Sequence, residues 1–311
     1  MCGIVGAVAE RNVVPILMEG LRRLEYRGYD SAGIAVRVED GIARVRRVGK
    51  VQELANALEE TPVRGGTGIS HTRWATHGVP NESNAHPHLS SDKIAIVHNG
   101  IIENYEELRD DLKEKGYTFT SDTDTEIVAH RIHHNLKNTE DFAGAVRMTV
   151  AELEGAYALA VMSVDHPGQI VIARAGAPAV VGIGIDENFV ASDVAALLPV
   201  TRNFMFLEEG DVALVERKAV TVWNEKGEIA ERDVRESTLN ADSAERGEYR
   251  HFMLKEIYEQ PDAVARTLDG RIADNRVLAA SFGPHANAAL DKTRGVHIVA
   301  CGTSYHAGLV A

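Results

Sequence analysis

The chain opens on a short apolar run, Gly3-Ile4-Val5-Gly6-Ala7-Val8. Its length and lack of polar interruption predict a buried strand. The period then changes. Leu17, Leu21 and Leu24 recur at helical spacing and predict a helix over 13–25. Asn12 is placed to cap it, and Pro15 falls in the first turn, where a missing N–H costs little. The segments 34–36, 43–45, 67–70 and 94–97 predict further strands. Helices are predicted over 103–115, with Leu108 and Leu112 on one face and Gly116 past the end, over 124–135 and over 142–153. Five strands follow with few helices between them: 157–164, 169–173, 180–185, 211–215 and 220–223. Such runs of strands, interleaved with paired helices, predict α+β layers rather than a doubly wound parallel sheet.

From about Glu225 to Arg250 the sequence turns polar and acidic and loses its apolar period, which predicts a linker. Beyond it, 251–268 predicts a helix interrupted near Pro261, and Val296-His297-Ile298-Val299-Ala300 predicts a buried strand. The turn Cys301-Gly302-Thr303-Ser304 follows, where a helix begins. One strand and one helical turn do not make a domain, so the reading expects the front part of a longer protein.

Composition narrows the class. Lys and Arg number 33 against 46 Asp and Glu, a net charge of −13. That balance argues against a nucleic-acid-binding surface and against a polybasic membrane anchor. No apolar run approaches the ~18–20 residues of a membrane span, and no basic leader of the secretory kind is visible. The two cysteines, Cys2 and Cys301, exclude a disulfide framework and fit a reducing cytoplasm.

Four clusters could carry chemistry. Cys2 becomes the terminal residue if Met1 is removed. It then bears a thiol nucleophile and an α-amine with a reference pKa of ~7.7–8.0, a base at neutral pH. A buried cysteine opening a strand is the ordinary alternative. In His71-Thr72-Arg73-Trp74-Ala75-Thr76-His77-Gly78, Arg73 offers a fork for a carboxylate and Trp74 a cover for a small ligand. A surface Arg–Trp stack is equally consistent with that pattern. His98-Asn99-Gly100 ends a strand, where the Asn99 amide and the Gly100 N–H suit an oxyanion hole, or else a simple Asn-Gly turn. Ser121-Asp122-Thr123-Asp124-Thr125-Glu126 opens a helix. Its acids suit capping, and Asp124 also suits a substrate ammonium. His86, His88, His130, His133 and His134 lack a zinc signature and read as packed or solvated histidines, with no metal expected. Thr303 and Ser304 suit a phosphate, although the Gly-Lys-Ser/Thr ending of a P-loop is missing.

Taken together, Met1–Gly6, Leu24–Gly33, Gly66–Gly78, Val97–Asn104, Thr123–Glu126, Leu207–Asp211, Lys255–Pro261 and Ala300–Tyr305 resemble the amino-terminal half of the glucosamine-6-phosphate synthase family. The resemblance implies a class II glutamine amidotransferase domain over 2–219, with the N-terminal-nucleophile αββα sandwich of two antiparallel sheets between helical layers. It implies a strand end and linker over 220–250 and the start of an α/β sugar isomerase domain over 251–311. It assigns Cys2 as nucleophile with its own amine as base, and Asn99 with the Gly100 N–H as oxyanion hole. Arg73 would hold the glutamine carboxylate and Asp124 its ammonium, while Thr76 and His77 shape the pocket. Trp74 would gate an ammonia channel, and Arg27 lies near the site. Thr303 and Ser304 match an incomplete sugar-phosphate loop.

The resemblance further implies glutamine and fructose 6-phosphate as substrates, no cofactor, a homodimer for the complete enzyme, and glutaminase activity alone for these 311 residues. Two other readings compete. One is a different amidotransferase of the same fold, such as an amidophosphoribosyltransferase or asparagine synthetase. The other is a non-catalytic glutamine-sensing or oligomerising fragment.

Overall fold

The computed structural model describes residues 2–139, 141–238, 249–268, 271–273, 276–279, 286–300 and 302–311. The chain divides into two compact units, Met1–Glu245 and Arg246–Ala311.

In the first unit the strands are β1 (Gly3–Val8), β2 (Ser31–Val38), β3 (Gly41–Val48), β4 (Thr67–Arg73), β5 (His88–Ser90), β6 (Ile94–Ile102) and β7 (Gly155–Ser163). They continue as β8 (Gln169–Ala175), β9 (Val180–Ile183), β10 (Asn188–Ala191), β11 (Asn203–Phe206), β12 (Val212–Glu216), β13 (Val220–Trp223) and β14 (Val234–Glu236). The helices are α1 (Val14–Leu24), α2 (Val51–Glu60), α3 (Tyr105–Glu114), α4 (Thr125–Asn135) and α5 (Phe142–Val150). The strands form two sheets, ordered β14-β11-β9-β10-β1-β4-β2-β3 and β13-β12-β8-β7-β6-β5, and every neighbouring pair is antiparallel.

Side-chain alternation along the strands explains the layers. In β1, Val5 and Ala7 pack outward against Leu17 and Leu21 of α1, while Ile4 and Val8 pack inward with Ala95 and Val97 of β6. In β6, Ile94 and Ile96 face the other way, toward Val128 and Ile132 of α4 and Phe142 of α5. The result is helix, sheet, sheet, helix. A continuous apolar run suits β1 because both its faces are covered. Gly6 leaves room for its neighbours: a Cβ there would lie 2.5 Å from Val190 Cγ2 of the adjacent strand and 3.3 Å from Ile170 Cδ1 of the facing sheet.

Several sequence expectations change. The cap position of α1 is Val13, and Asn12 Oδ1 instead accepts from Val14 N at 3.4 Å and Gly65 N at 3.3 Å. The chain still pairs with the sheets after Glu225, since β14 joins β11, so Val234–Glu236 are strand rather than linker. Part of the expected linker, 239–248, lies outside the described residues, as does Cys301.

The second unit contains α6 (Phe252–Leu268), the two-strand pair β15 (Ile272–Ala273) and β16 (Arg276–Val277), α7 (Ala286–Leu290) and α8 (Gly302–Val310). Helix α6 runs through Pro261 without interruption. Residues 296–300 are not a strand: Val296, Ile298 and Val299 are exposed, and no described segment pairs with them. An apolar run becomes a strand only with a hydrogen-bonded neighbour. Among the described residues no helix is long and apolar enough to cross a membrane.

Phe189 is fully buried between sheet and helices, whereas Ile185, four residues earlier, is 94% exposed. Phe189→Ala is expected to destabilise the first unit by about 3–5 kcal/mol, and Ile185→Ala by less than about 0.5 kcal/mol. Urea unfolding curves of the two variants check this; equal midpoints would contradict the layer assignment.

Candidate active site

Cys2 precedes β1, and the β1–β4 register sets Gly3 opposite Thr72. The thiol therefore lies against the turn after β4. Trp74 N–H donates to Cys2 Sγ at 3.1 Å, and Sγ lies 3.5 Å from Trp74 O. The Cys2 carbonyl is held twice. Asn99 Nδ2 donates to it at 3.3 Å from inside β6 of the other sheet, which continues to Ile102 past the strand end or turn expected at 98–100. Arg27 Nη1 also donates at 3.3 Å, and Arg27 Nη2 is anchored on Asp193 Oδ2 at 2.8 Å.

Arg73 ends β4 with its side chain buried. Its Nη2 donates to the carbonyls of His77 and Gly78, and Nη1 lies 3.6 Å from Asp30 Oδ1. Asp30 also accepts from Ala75 N and donates its own N–H to Arg73 O at 2.7 Å. It thus ties both ends of the turn that carries Trp74. Trp74 is half exposed and its ring rests on Gly28, where φ is +74° and a Cβ would lie 2.7 Å from the ring. The His77 ring meets Tyr105 edge-on at 5.2 Å.

Asp124 is buried at the start of α4. Its carboxylate does not cap that helix; Oδ2 accepts from Ile102 N at 2.8 Å. Glu126 does not cap it either, and takes the N–H groups of Thr120 and Ser121 instead. Gly100 has φ +130°, and a Cβ there would overlap the Ala156 carbonyl oxygen. Only glycine fits this step of β6.

These residues meet at two adjoining hollows. One is nearly filled, with about 10 Å³ of free space, and is lined by Cys2, Arg73, Trp74, Thr76, His77, Gly100 and Asp124 among others. The other, of about 550 Å³, is lined by Cys2, Arg27, Trp74, Thr76, Asn99, Gly100 and Ile101 among others, and is largely apolar. The structure thus brings together Cys2, Arg73, Trp74, Thr76, His77, Asn99, Gly100 and Asp124. Thr303 and Ser304 belong to the second unit, exposed in the first turn of α8.

Burial pushes the Cys2 thiol above its ordinary 9.0, although the Trp74 N–H pulls the other way. The thiol is therefore protonated at neutral pH. Among the described residues Sγ bonds only to the Trp74 backbone, and no imidazole is paired with it. Any activating base must come from elsewhere.

A cluster of buried histidines backs the site. His71 and His86 rings lie 4.3 Å apart, and His86 and His88 4.7 Å apart. Thr125 Oγ1 bonds both His86 Nε2 and His98 Nδ1, each at 2.9 Å. The expected H-x-H pair is thus packed into the site wall. On the far side of α4, His130 and His133 share the Ser90 hydroxyl. Asp30, His71 and Thr125 were given no role by sequence. The one available signal was alternation, which puts His71 on the face of β4 that also bears Ile69 and Arg73.

Burial holds His71 down to about 3 and lowers His86, His88 and His98 as well. Folded, all four stay neutral; unfolded, each takes up a proton near 6.5. Their stabilising contribution is therefore complete above pH 6.5 and lost as pH falls below it. Each can remove up to about 1.4 kcal/mol per pH unit. The urea midpoint is expected to be flat from pH 7.5 to 8.5 and to drop between pH 6.5 and 5. A flat profile down to pH 5 would contradict this.

Comparison with known proteins bears on family and fold. Residues 71–199 match the glutamine amidotransferase domain family. The chain is 60% identical over all of its 311 residues to the glutamine–fructose-6-phosphate aminotransferase (isomerizing) of Shewanella oneidensis, covering 51% of that protein. It is 58% identical to the Pseudomonas aeruginosa enzyme of the same name, again covering all of this chain and 51% of the relative. The chain thus spans about half the length of the curated relatives it matches. The fold is shared with the glutamine phosphoribosylpyrophosphate amidotransferase of B. subtilis, at TM-score 0.63 and 24% identity, over 73% of this chain and 50% of that one. Over its full length this chain is a homologue of the amino-terminal half of the glutamine–fructose-6-phosphate aminotransferases, and its first unit has the N-terminal-nucleophile fold of glutamine amidotransferases.

Proposed function

We propose that the first unit hydrolyses glutamine by acyl transfer to Cys2, once Met1 has been removed. The observation that carries this reading is that Cys2 lines two adjoining hollows, one with a buried guanidinium and a buried carboxylate and the other with a side-chain amide. Arg73 receives the α-carboxylate of glutamine and Asp124 its α-ammonium, a buried pair of charges matched to a zwitterion. Thr76 and His77 shape the pocket.

The neutral thiol gives its proton to the α-amine of Cys2 itself. Sγ attacks the side-chain amide carbon, and the C=O electron pair moves onto oxygen. The Asn99 amide and the Gly100 N–H stabilise that oxyanion. Collapse restores the C=O and breaks the C–N bond. Ammonia leaves with the proton held by the amine, and a γ-glutamyl thioester remains. Water then hydrolyses it to glutamate. No cofactor or metal takes part.

The names of the relatives extend the reading to the whole protein. There ammonia passes beneath Trp74 to fructose 6-phosphate, whose phosphate would engage Thr303 and Ser304, within a cytoplasmic homodimer. The reading assigns no nucleic-acid or membrane partner. The 311 residues are proposed to carry the glutaminase half of that activity.

The purified chain is expected to release glutamate from glutamine, and Cys2→Ala to reduce kcat at least about 10⁴-fold. Turnover should follow the fraction of molecules whose measured mass lacks Met1. Equal activity in molecules that retain Met1 would exclude the α-amine as base, and equal activity in Cys2→Ala would exclude the mechanism.

A further inference from the structure

His71 and Asn99 sit on opposing sheets and meet across the edge of the apolar layer, with His71 Nε2 and Asn99 Oδ1 2.9 Å apart and both side chains buried. The hydrogen-bond chemistry fixes their orientation. Asn99 Nδ2 donates to the Cys2 carbonyl, which accepts only, so the amide oxygen must face His71. That oxygen also accepts only, so His71 Nε2 must carry the proton. Nδ1 of the same ring is buried and makes no hydrogen bond, although the His98 backbone also faces the ring, so the tautomer rests on the Asn99 contact. The His86 ring, 4.3 Å away, holds the imidazole in place.

An asparagine amide turns about a broad, roughly two-fold torsion. The Cys2 carbonyl alone restrains it weakly, at 3.3 Å. When a substrate oxygen competes for Nδ2, that restraint weakens further, while the bond to His71 remains. We propose that His71 is the positioning residue of the oxyanion hole: its Nε2–H clamps the Asn99 amide oxygen and thereby aims Nδ2 at the oxygen that becomes negative. The inference rests on the acyl-transfer reading and adds to it a residue that touches neither substrate nor thiol. His71 transfers no proton. Its imidazole titrates near 3, so the donor stays in place throughout the neutral range.

The test uses the full chain and three proteins: wild type, His71→Leu and His71→Gln. Leucine removes the donor, whereas the glutamine amide nitrogen reaches the place of Nε2. Without the donor, kcat for glutamine is expected to fall about 10- to 100-fold and KM to move less than about twofold. His71→Gln should restore kcat to within about fivefold of wild type. Alkylation of Cys2 by iodoacetamide passes through no oxyanion, so its rate should agree within about twofold in all three.

Undiminished kcat in His71→Leu overturns the inference. So does a loss shared by kcat and alkylation, which marks a structural role, and so does a His71→Gln as slow as His71→Leu. If His71→Leu does not fold, the tautomer still decides: long-range ¹H–¹⁵N spectra of the wild type should show the proton on Nε2, and a proton on Nδ1 overturns the clamp. A wild type without Cys2-dependent turnover overturns the acyl-transfer reading instead, and the inference with it.

Discussion

Side chains of the two sheets meet in a dry layer where Ile4, Ile69, Ala95 and Val97 exclude water. At one edge of that layer the apolar contacts give way to Cys2, His71, Arg73 and Asn99. Polar groups in such a place must each find a partner, because an unpaired one costs on the order of 1–3 kcal/mol. The partners are correspondingly specific. The Cys2 carbonyl takes one N–H from Asn99 of the facing sheet and one from Arg27, in the turn between α1 and β2. The β4 guanidinium is bound by the carbonyls of its own following turn. The site is thus held by closure of the two sheets, a sounder support than a surface loop.

The same burial shapes the chemistry. It keeps the thiol protonated and the nearby imidazoles neutral. Among the described residues no cysteine–histidine pair of the usual kind is formed, so the proposed reaction relies on a base on the cysteine's own residue. Arg73 and Asp124 are buried charges of opposite sign, each partly satisfied by backbone, with Asp30 also 3.6 Å from the guanidinium. A buried ion seeks an opposite charge, and a zwitterionic amino acid supplies one to each at once. Trp74 and Ile101 form an apolar rim beside this pocket, where a small neutral product such as ammonia meets little competing polarity.

Much of this was legible in the sequence. The apolar run of β1 and the leucine spacing of α1 predicted their elements because both are buried on a defined face. Short strands such as β10 and β11 left no such pattern, since four residues carry little periodicity. Residues 296–300 show the converse: an apolar run was read as a strand, yet strand formation depends on a neighbour that the local pattern does not report. At the site, Cys2, Arg73, Asn99 and Asp124 stood out by residue type and by position at the ends of expected elements. Asp30 and His71 did not. Their partners lie 45 and 28 residues away, and only the stacking of two sheets brings them together.

The central claim is that a covalent acyl group passes through Cys2. Mixing the chain with glutamine, quenching in acid within the first turnovers and weighing the N-terminal peptide tests it directly. The account predicts a glutamyl adduct on a peptide that begins at Cys2, appearing before glutamate reaches its steady rate. Steady glutamate release from a chain whose Cys2 peptide never gains that mass, under conditions where a standard γ-glutamyl thioester survives the quench, would contradict it.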